Sequence, residues 1–162
     1  METGKRSNIF KLIASIIIPQ AAGGIGALMT EPSVGSWYSG LNKPSFNPPD
    51  WIFGPVWTAL YLMMGIALYL VWKKGLSHKE TRAAVAAFGV QLFLNLAWSF
   101  LFFYLHMPFA AFIEIILLWF AIAATMAAFA RVSRAACRLL VPYLLWVSFA
   151  SVLNFFLWRL NP

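Results

Sequence analysis

Five stretches of about 20 predominantly apolar residues follow one another in a chain of only 162, at 9–29, 51–72, 83–105, 109–130 and 139–158. An α-helix rises about 1.5 Å per residue, so each stretch is long enough to cross the roughly 30 Å hydrocarbon core of a bilayer. Composition agrees with that reading. The chain is 62% hydrophobic and 10% charged, whereas soluble domains carry about 25% charged residues, and so little charge cannot cover a water-facing surface. The sequence therefore predicts an all-α membrane protein, a bundle of five transmembrane helices forming a single domain over 1–162. Lys5, Arg6 and Lys11 before the first run resemble the start of a secretory signal. The run itself exceeds the roughly 7–15 residues of a signal core, and we read it as a retained helix.

The formal net charge is +7, yet the basic residues sit between apolar runs and form no stripe of the kind that binds nucleic acid. Topology explains them better. With five spans, one side collects Lys5, Arg6, Lys11, Lys73, Lys74, Lys79, Arg82, Arg131, Arg134 and Arg138, and the other only Lys43 and Arg159. By the positive-inside rule the N-terminus faces the cytoplasm and the long connection 30–50 lies opposite. A bacterial cell membrane is the simplest setting, with an outer membrane as the alternative. Cys137 is the single cysteine, which excludes an intramolecular disulfide, and no Cys/His cluster offers a metal site.

Polar and aromatic residues at helical spacing mark the faces turned away from lipid. Gln91, Asn95 and Ser99 share one face of the third helix, with Trp98 beside Asn95. Trp57, Tyr61, Gly65 and Leu68 form a stripe on the second, and Tyr143, Trp146, Ala150 and Asn154 on the fifth. Aromatics and amides beside small residues suit a cavity for a large flat ligand. In the first helix, Pro19 with Gly23, Gly24 and Gly26 bends the backbone and lets a neighbour or ligand approach it. The connection 30–50 is longer than ordinary helix links, and its Trp37, Tyr38, Leu41 and Phe46 argue for order.

Several residues have a plainer reading. Trp51, Trp72 and Trp158 stand at helix ends and are read as interfacial anchors. Gln91 and Asn95 serve equally well as interhelical glue or as ligand contacts. Glu114 is an intramembrane acid close enough to the interface to snorkel, and we expect it to do so. His106, in the hairpin between the third and fourth helices, is read as an interfacial residue in preference to an axial haem ligand. No nucleophilic arrangement, HExxH or P-loop occurs. Ala83/Ala87, Ala123/Ala127 and Ala124/Ala128 would permit close helix approach and leave a homodimer plausible.

Trp37-Tyr38 followed by Leu41-Asn42-Lys43-Pro44 and Pro48-Pro49, then Pro55-Val56-Trp57 with Tyr61, Gln91 with Asn95 and Trp98, and Pro142-Tyr143-Leu144-Leu145-Trp146 with Ala150 and Asn154, closely resemble the translocator protein family. Its members are also called tryptophan-rich sensory proteins or peripheral benzodiazepine receptors. The resemblance covers nearly the whole chain. It implies a five-helix bundle, often dimeric, whose cavity binds porphyrins and isoquinoline-type ligands beneath a lid formed by the first long loop, with sterol binding in some members. No covalent cofactor is implied; a haem-type tetrapyrrole would be a ligand. Carried over by motif, the ligand-binding residues are Trp37, Tyr38, Trp57, Tyr61, Asn95, Trp98, Trp146 and Ala150. Porphyrin or sterol transport, and light-dependent porphyrin degradation using Trp57 and Trp146, are the alternatives implied. Phe46, Asp50 and Ser99-Phe100 depart from the family's usual residues, and Phe155 and Phe156 replace the tyrosine expected of its sterol motif.

Overall fold

The computed structural model describes the backbone of residues 2–162 and the side chains from residue 7 onward, so the Lys5 and Arg6 side chains counted above lie outside the described residues. Among the described residues, five helical segments are long and apolar enough to cross a membrane: Ser7–Val34, Asp50–Trp72, Lys79–Tyr104, Pro108–Val132 and Arg134–Leu160. Their outer faces are what a bilayer requires. Phe10, Leu28, Phe93, Phe120 and Leu145 are all more than 60% exposed, a surface that lipid solvates and water would not.

Helix α1 runs Glu2–Val34, α2 Phe53–Trp72, α3 Lys79–Ser99, α4 Pro108–Val132, α5 Arg134–Leu139 and α6 Val141–Leu160. Helix α1 carries two prolines, Pro19 and Pro32, and continues beyond the expected end at residue 29 because hydroxyls serve carbonyls around its last turns. Thr30 Oγ1 donates to Gly26 O at 2.8 Å and Ser36 Oγ to Pro32 O at 2.7 Å. The connection to α2 is correspondingly shorter than 30–50 and contains two 3₁₀ turns, Tyr38–Gly40 and Asp50–Ile52. The basic segment 131–138 is helical as well. Ser133 adopts an extended conformation and caps α5 by accepting the Ala136 N–H, and Pro142 then occupies the first turn of α6, where its missing N–H costs little.

The third span ends differently from its start. Residues Phe100–Tyr104 form a π-turn, with Leu105 N–H donating to Phe100 O and Met107 N–H to Leu101 O. Wide turns of this kind re-aim the side chains they carry and are common beside functional sites. His106 then takes a left-handed φ of 55°, reversing the chain into α4.

The helices pack as neighbours in sequence, α1 on α2 and α3 on α4, with α6 against α4 and α5 wedged between α2 and α4. The α1–α2 crossing is close at Gly65. A Cβ on Gly65 would lie 2.8 Å from Ser15 O and 2.9 Å from Ile16 Cα, so only a glycine lets the two backbones touch. One buried cluster fills the bundle around Met64, Ala67, Ile122 and Tyr143, and a second, at the lid end, joins Tyr38, Phe102, Ala111, Leu153 and Leu157. Trp51 is 74% exposed just ahead of α2, while Trp72 and Trp158 are partly exposed near helix ends.

Candidate ligand-binding site

A cavity of about 400 Å³ opens beneath the lid, between α1, α2, α3 and α6, within the roughly 300–1,000 Å³ of small-molecule sites. Its wall is mainly apolar and rich in aromatic rings. Trp57 and Tyr61 come from α2, Trp98 and Phe102 from the third span and its π-turn, and Trp146 with Ala150 from α6. Trp57 and Tyr61 stack at 5.5 Å between centroids and 29° between planes. Trp98 stacks on Phe102 at 5.4 Å and 19°.

These rings are held from behind. Trp98 Nε1–H donates to Asn154 Oδ1 at 3.0 Å, and Asn154 Nδ2–H donates to Pro108 O at 2.8 Å, which ties α3, α6 and the start of α4 together. Below the cavity, the Tyr61 hydroxyl donates to Asn95 Oδ1, Asn95 Nδ2–H donates to Tyr143 OH at 3.1 Å, and Tyr143 OH donates to Gln91 Oε1 at 3.0 Å. Four buried polar groups on three helices thus satisfy one another, as a low-dielectric interior demands. Trp146 is different. Its ring lines the cavity, while its indole N–H is buried away from it and has no hydrogen-bond partner among the described residues.

Helix α1 supplies the fourth wall. Gly23 lies under the Tyr61 ring, where an added Cβ would come within 2.6 Å of it, while a Cβ on Gly24 would meet nothing within 4 Å. Gln20, Gly24 and Thr30 line the cavity from this side. The glycine cluster signalled close approach; nothing in the sequence singled out Gln20, Thr30 or Phe102.

The lid is fastened at two points. At its start the Trp37 ring stacks on His106 at 4.3 Å and 16°. Ser33 Oγ donates its only proton to Phe103 O, so His106 Nε2–H donates to Ser33 Oγ at 3.1 Å. Further on, Asn42 N–H donates to Asn161 Oδ1 at 2.9 Å and Asn161 Nδ2–H donates to Asn42 O at 3.0 Å, pinning the loop to the end of α6. Between these points Tyr38 turns inward, 4% exposed, with its hydroxyl donating to Asn47 Oδ1 at 2.8 Å. Burial pushes the Tyr38 phenol up to about 12, reinforced by the negative charge of Asp50 and opposed by the bond to Asn47.

Of the eight residues expected to bind ligand, Tyr38, Trp57, Tyr61, Trp98, Trp146 and Ala150 line the cavity. Asn95 lies one layer behind Tyr61, its amide engaged with two tyrosines. Trp37 stands outside the wall and fastens the lid. His106 likewise lines no part of the cavity. Glu114 corrects the expectation of snorkelling. It is only 7% exposed, and neither carboxyl oxygen has a partner among the described residues, because its side of α4 carries the buried positions Ala111, Ile115 and Leu118 and faces the bundle interior.

The TspO/MBR family model matches residues 15–159. The chain is 51% identical over 155 residues to the tryptophan-rich protein TspO of Chlorobaculum tepidum, covering 95% of this chain and 98% of that one. To the tryptophan-rich protein TspO of Archaeoglobus fulgidus it is 46% identical over 154 residues, covering 95% and 99%. Identity to the translocator protein of Homo sapiens is 45% over 130 residues, covering 77% and 75%. With a match running from the middle of α1 to the end of α6, the chain belongs to the TspO/MBR family of membrane proteins.

Proposed function

We propose that the protein is a membrane receptor or regulator that binds porphyrins and isoquinoline-type ligands in the cavity beneath the lid. The observation that carries this reading is a cavity of about 400 Å³ lined by the rings of Trp57, Tyr61, Trp98, Phe102 and Trp146. A planar conjugated ligand finds aromatic faces to stack on within a largely apolar enclosure. The lid sits where ligand would enter, and its two fastenings make opening a discrete local event. The reading includes a cytoplasmic N-terminus in a bacterial cell membrane and a homodimer.

Titration of the detergent-purified protein with protoporphyrin IX in the dark, followed by tryptophan quenching, tests it. Saturable binding at micromolar concentration or below is expected. Trp146→Ala should weaken it most, through loss of the lining ring, by roughly 10- to 100-fold. Asn95→Ala should weaken it less, because it acts by releasing Tyr61. Non-saturable quenching, or identical curves for all three proteins, would refute the cavity as the site.

A second reading, light-dependent degradation of the bound porphyrin, is favoured by the placement of two indoles, Trp57 and Trp146, on the cavity wall. A defined photoproduct formed by the native protein, and lost in Trp146→Phe while dark binding persists, is the result it requires.

A further inference from the structure

The cavity rim carries one full charge, and it is negative. Among the described residues lining the cavity, Asp50 is the only one with a side chain ionised at neutral pH; the remaining lining is apolar, aromatic, hydroxyl or amide. Asp50 is also exposed, which places it where the cavity meets solvent. It begins the 3₁₀ turn Asp50–Ile52 that leads directly into α2, so its carboxylate occupies the electropositive end of that helix and offsets the partial charge an anion would otherwise find there. The two cations expected at this end of the bundle are held by contacts outside the cavity lining. Lys43 Nζ stands 4.7 Å over the Tyr38 ring and reaches Ser39 O at 3.4 Å, while the Arg159 guanidinium lies 5.8 Å from the Trp158 ring centre. Neither lines the cavity.

We infer that Asp50 is a specificity-determining residue that selects planar ligands with neutral or cationic rim-facing substituents against those carrying carboxylates. The inference rests on the tetrapyrrole reading above and names the form of ligand that reading leaves open. Its physical basis is the partition of an amphiphilic disc between cavity and mouth. The macrocycle enters among the rings, and its charged substituents stay at the rim, because moving a carboxylate inward without a partner costs more than stacking returns. At the rim a carboxylate meets Asp50 with no compensating cation. An ester or amide meets no such repulsion, and an ammonium gains a counter-ion beside aromatic faces that also attract cations.

The test compares protoporphyrin IX with its dimethyl ester in the detergent-purified full chain, in the dark, for the native protein, Asp50→Asn and Asp50→Glu. In the native protein the ester should bind more tightly than the diacid by roughly three- to tenfold. That gap should narrow as salt is raised, which a merely structural role would not produce. Asp50→Asn should tighten the diacid and close the gap while leaving ester affinity unchanged, and Asp50→Glu should restore it. Unchanged ester binding also reports that the lid still folds. Equal affinity for the two ligands in the native protein, or a gap that persists in Asp50→Asn, would overturn the assignment of Asp50 while leaving the cavity standing. Failure of both porphyrins to bind would overturn the tetrapyrrole reading and this inference together.

Discussion

At the scale of single residues, Tyr38 links the lid to the charge at the cavity rim. Its phenol is raised from 10.0 to about 12, first by burial and then by Asp50. Because the proton is held more tightly in the closed lid than in an open chain, the stabilisation is complete below about pH 10 and is lost as pH rises toward about 12. An ultraviolet difference titration of the native protein against Tyr38→Phe should therefore show a phenol ionising near 12. Asp50→Asn should move it down, though not fully to 10.0, because burial remains. A difference titration centred near 10 would mean that the lid leaves Tyr38 in water. Aromatic identity and helical spacing had already marked Tyr38, Trp57, Trp98 and Trp146 in the sequence. Whether Asn95 faced a ligand or a neighbouring helix was undecidable there, since an amide serves both, and only the hydroxyls of Tyr61 and Tyr143 on either side of it show which partners hold it.

Among elements, the α1–α2 crossing and the lid respond differently to substitution. Gly65→Ala places a Cβ 2.8 Å from Ser15 O, and backbone on both sides cannot yield without separating the helices. A loss of about 1–3 kcal/mol, read as a lower midpoint of thermal unfolding in detergent, is expected. Gly24→Ala faces open space, so it should leave the midpoint unchanged or raised, since alanine favours helix. It would take up cavity volume instead. At the lid, His106→Ala removes the stack on Trp37 and the bond to Ser33, together worth about 1–2 kcal/mol. Stopped-flow quenching with protoporphyrin IX should then show faster association and faster dissociation with little change in affinity. A slower on-rate would mean that the latch holds the mouth open, not shut. The lengths of the apolar runs marked five spans but not the π-turn at Phe100–Tyr104 or the helical course of 131–138. The first depends on how the α3–α4 hairpin closes, and the second on Ser133 acting as a cap between two helices.

For the whole molecule, the up-and-down order of the helices gathers Lys73, Lys74, Lys79, Arg82, Arg131, Arg134 and Arg138 at one end and leaves Lys43 and Arg159 at the other. In a Cys137→Ser background, a cysteine at Ser45 in the lid should react with a membrane-impermeant maleimide added outside intact cells, and one at Gly75 only after permeabilisation. The opposite pattern would reverse the proposed orientation. Membrane insertion, the number of spans and their basic side were determined by the sequence itself, because the bilayer selects on length, hydropathy and flanking charge, all of which are local properties of the chain. The aromatic faces were legible for the same reason, as repeats along single helices. What only the tertiary structure decided is how those faces meet. It brought α1 in as a cavity wall through Gly23, set Asn95 behind Tyr61, turned Glu114 inward, joined Trp37 to His106, and placed Asp50 on the cavity lining. Each of these is a relation between residues on different helices, set by packing angles and close approaches that no single segment specifies.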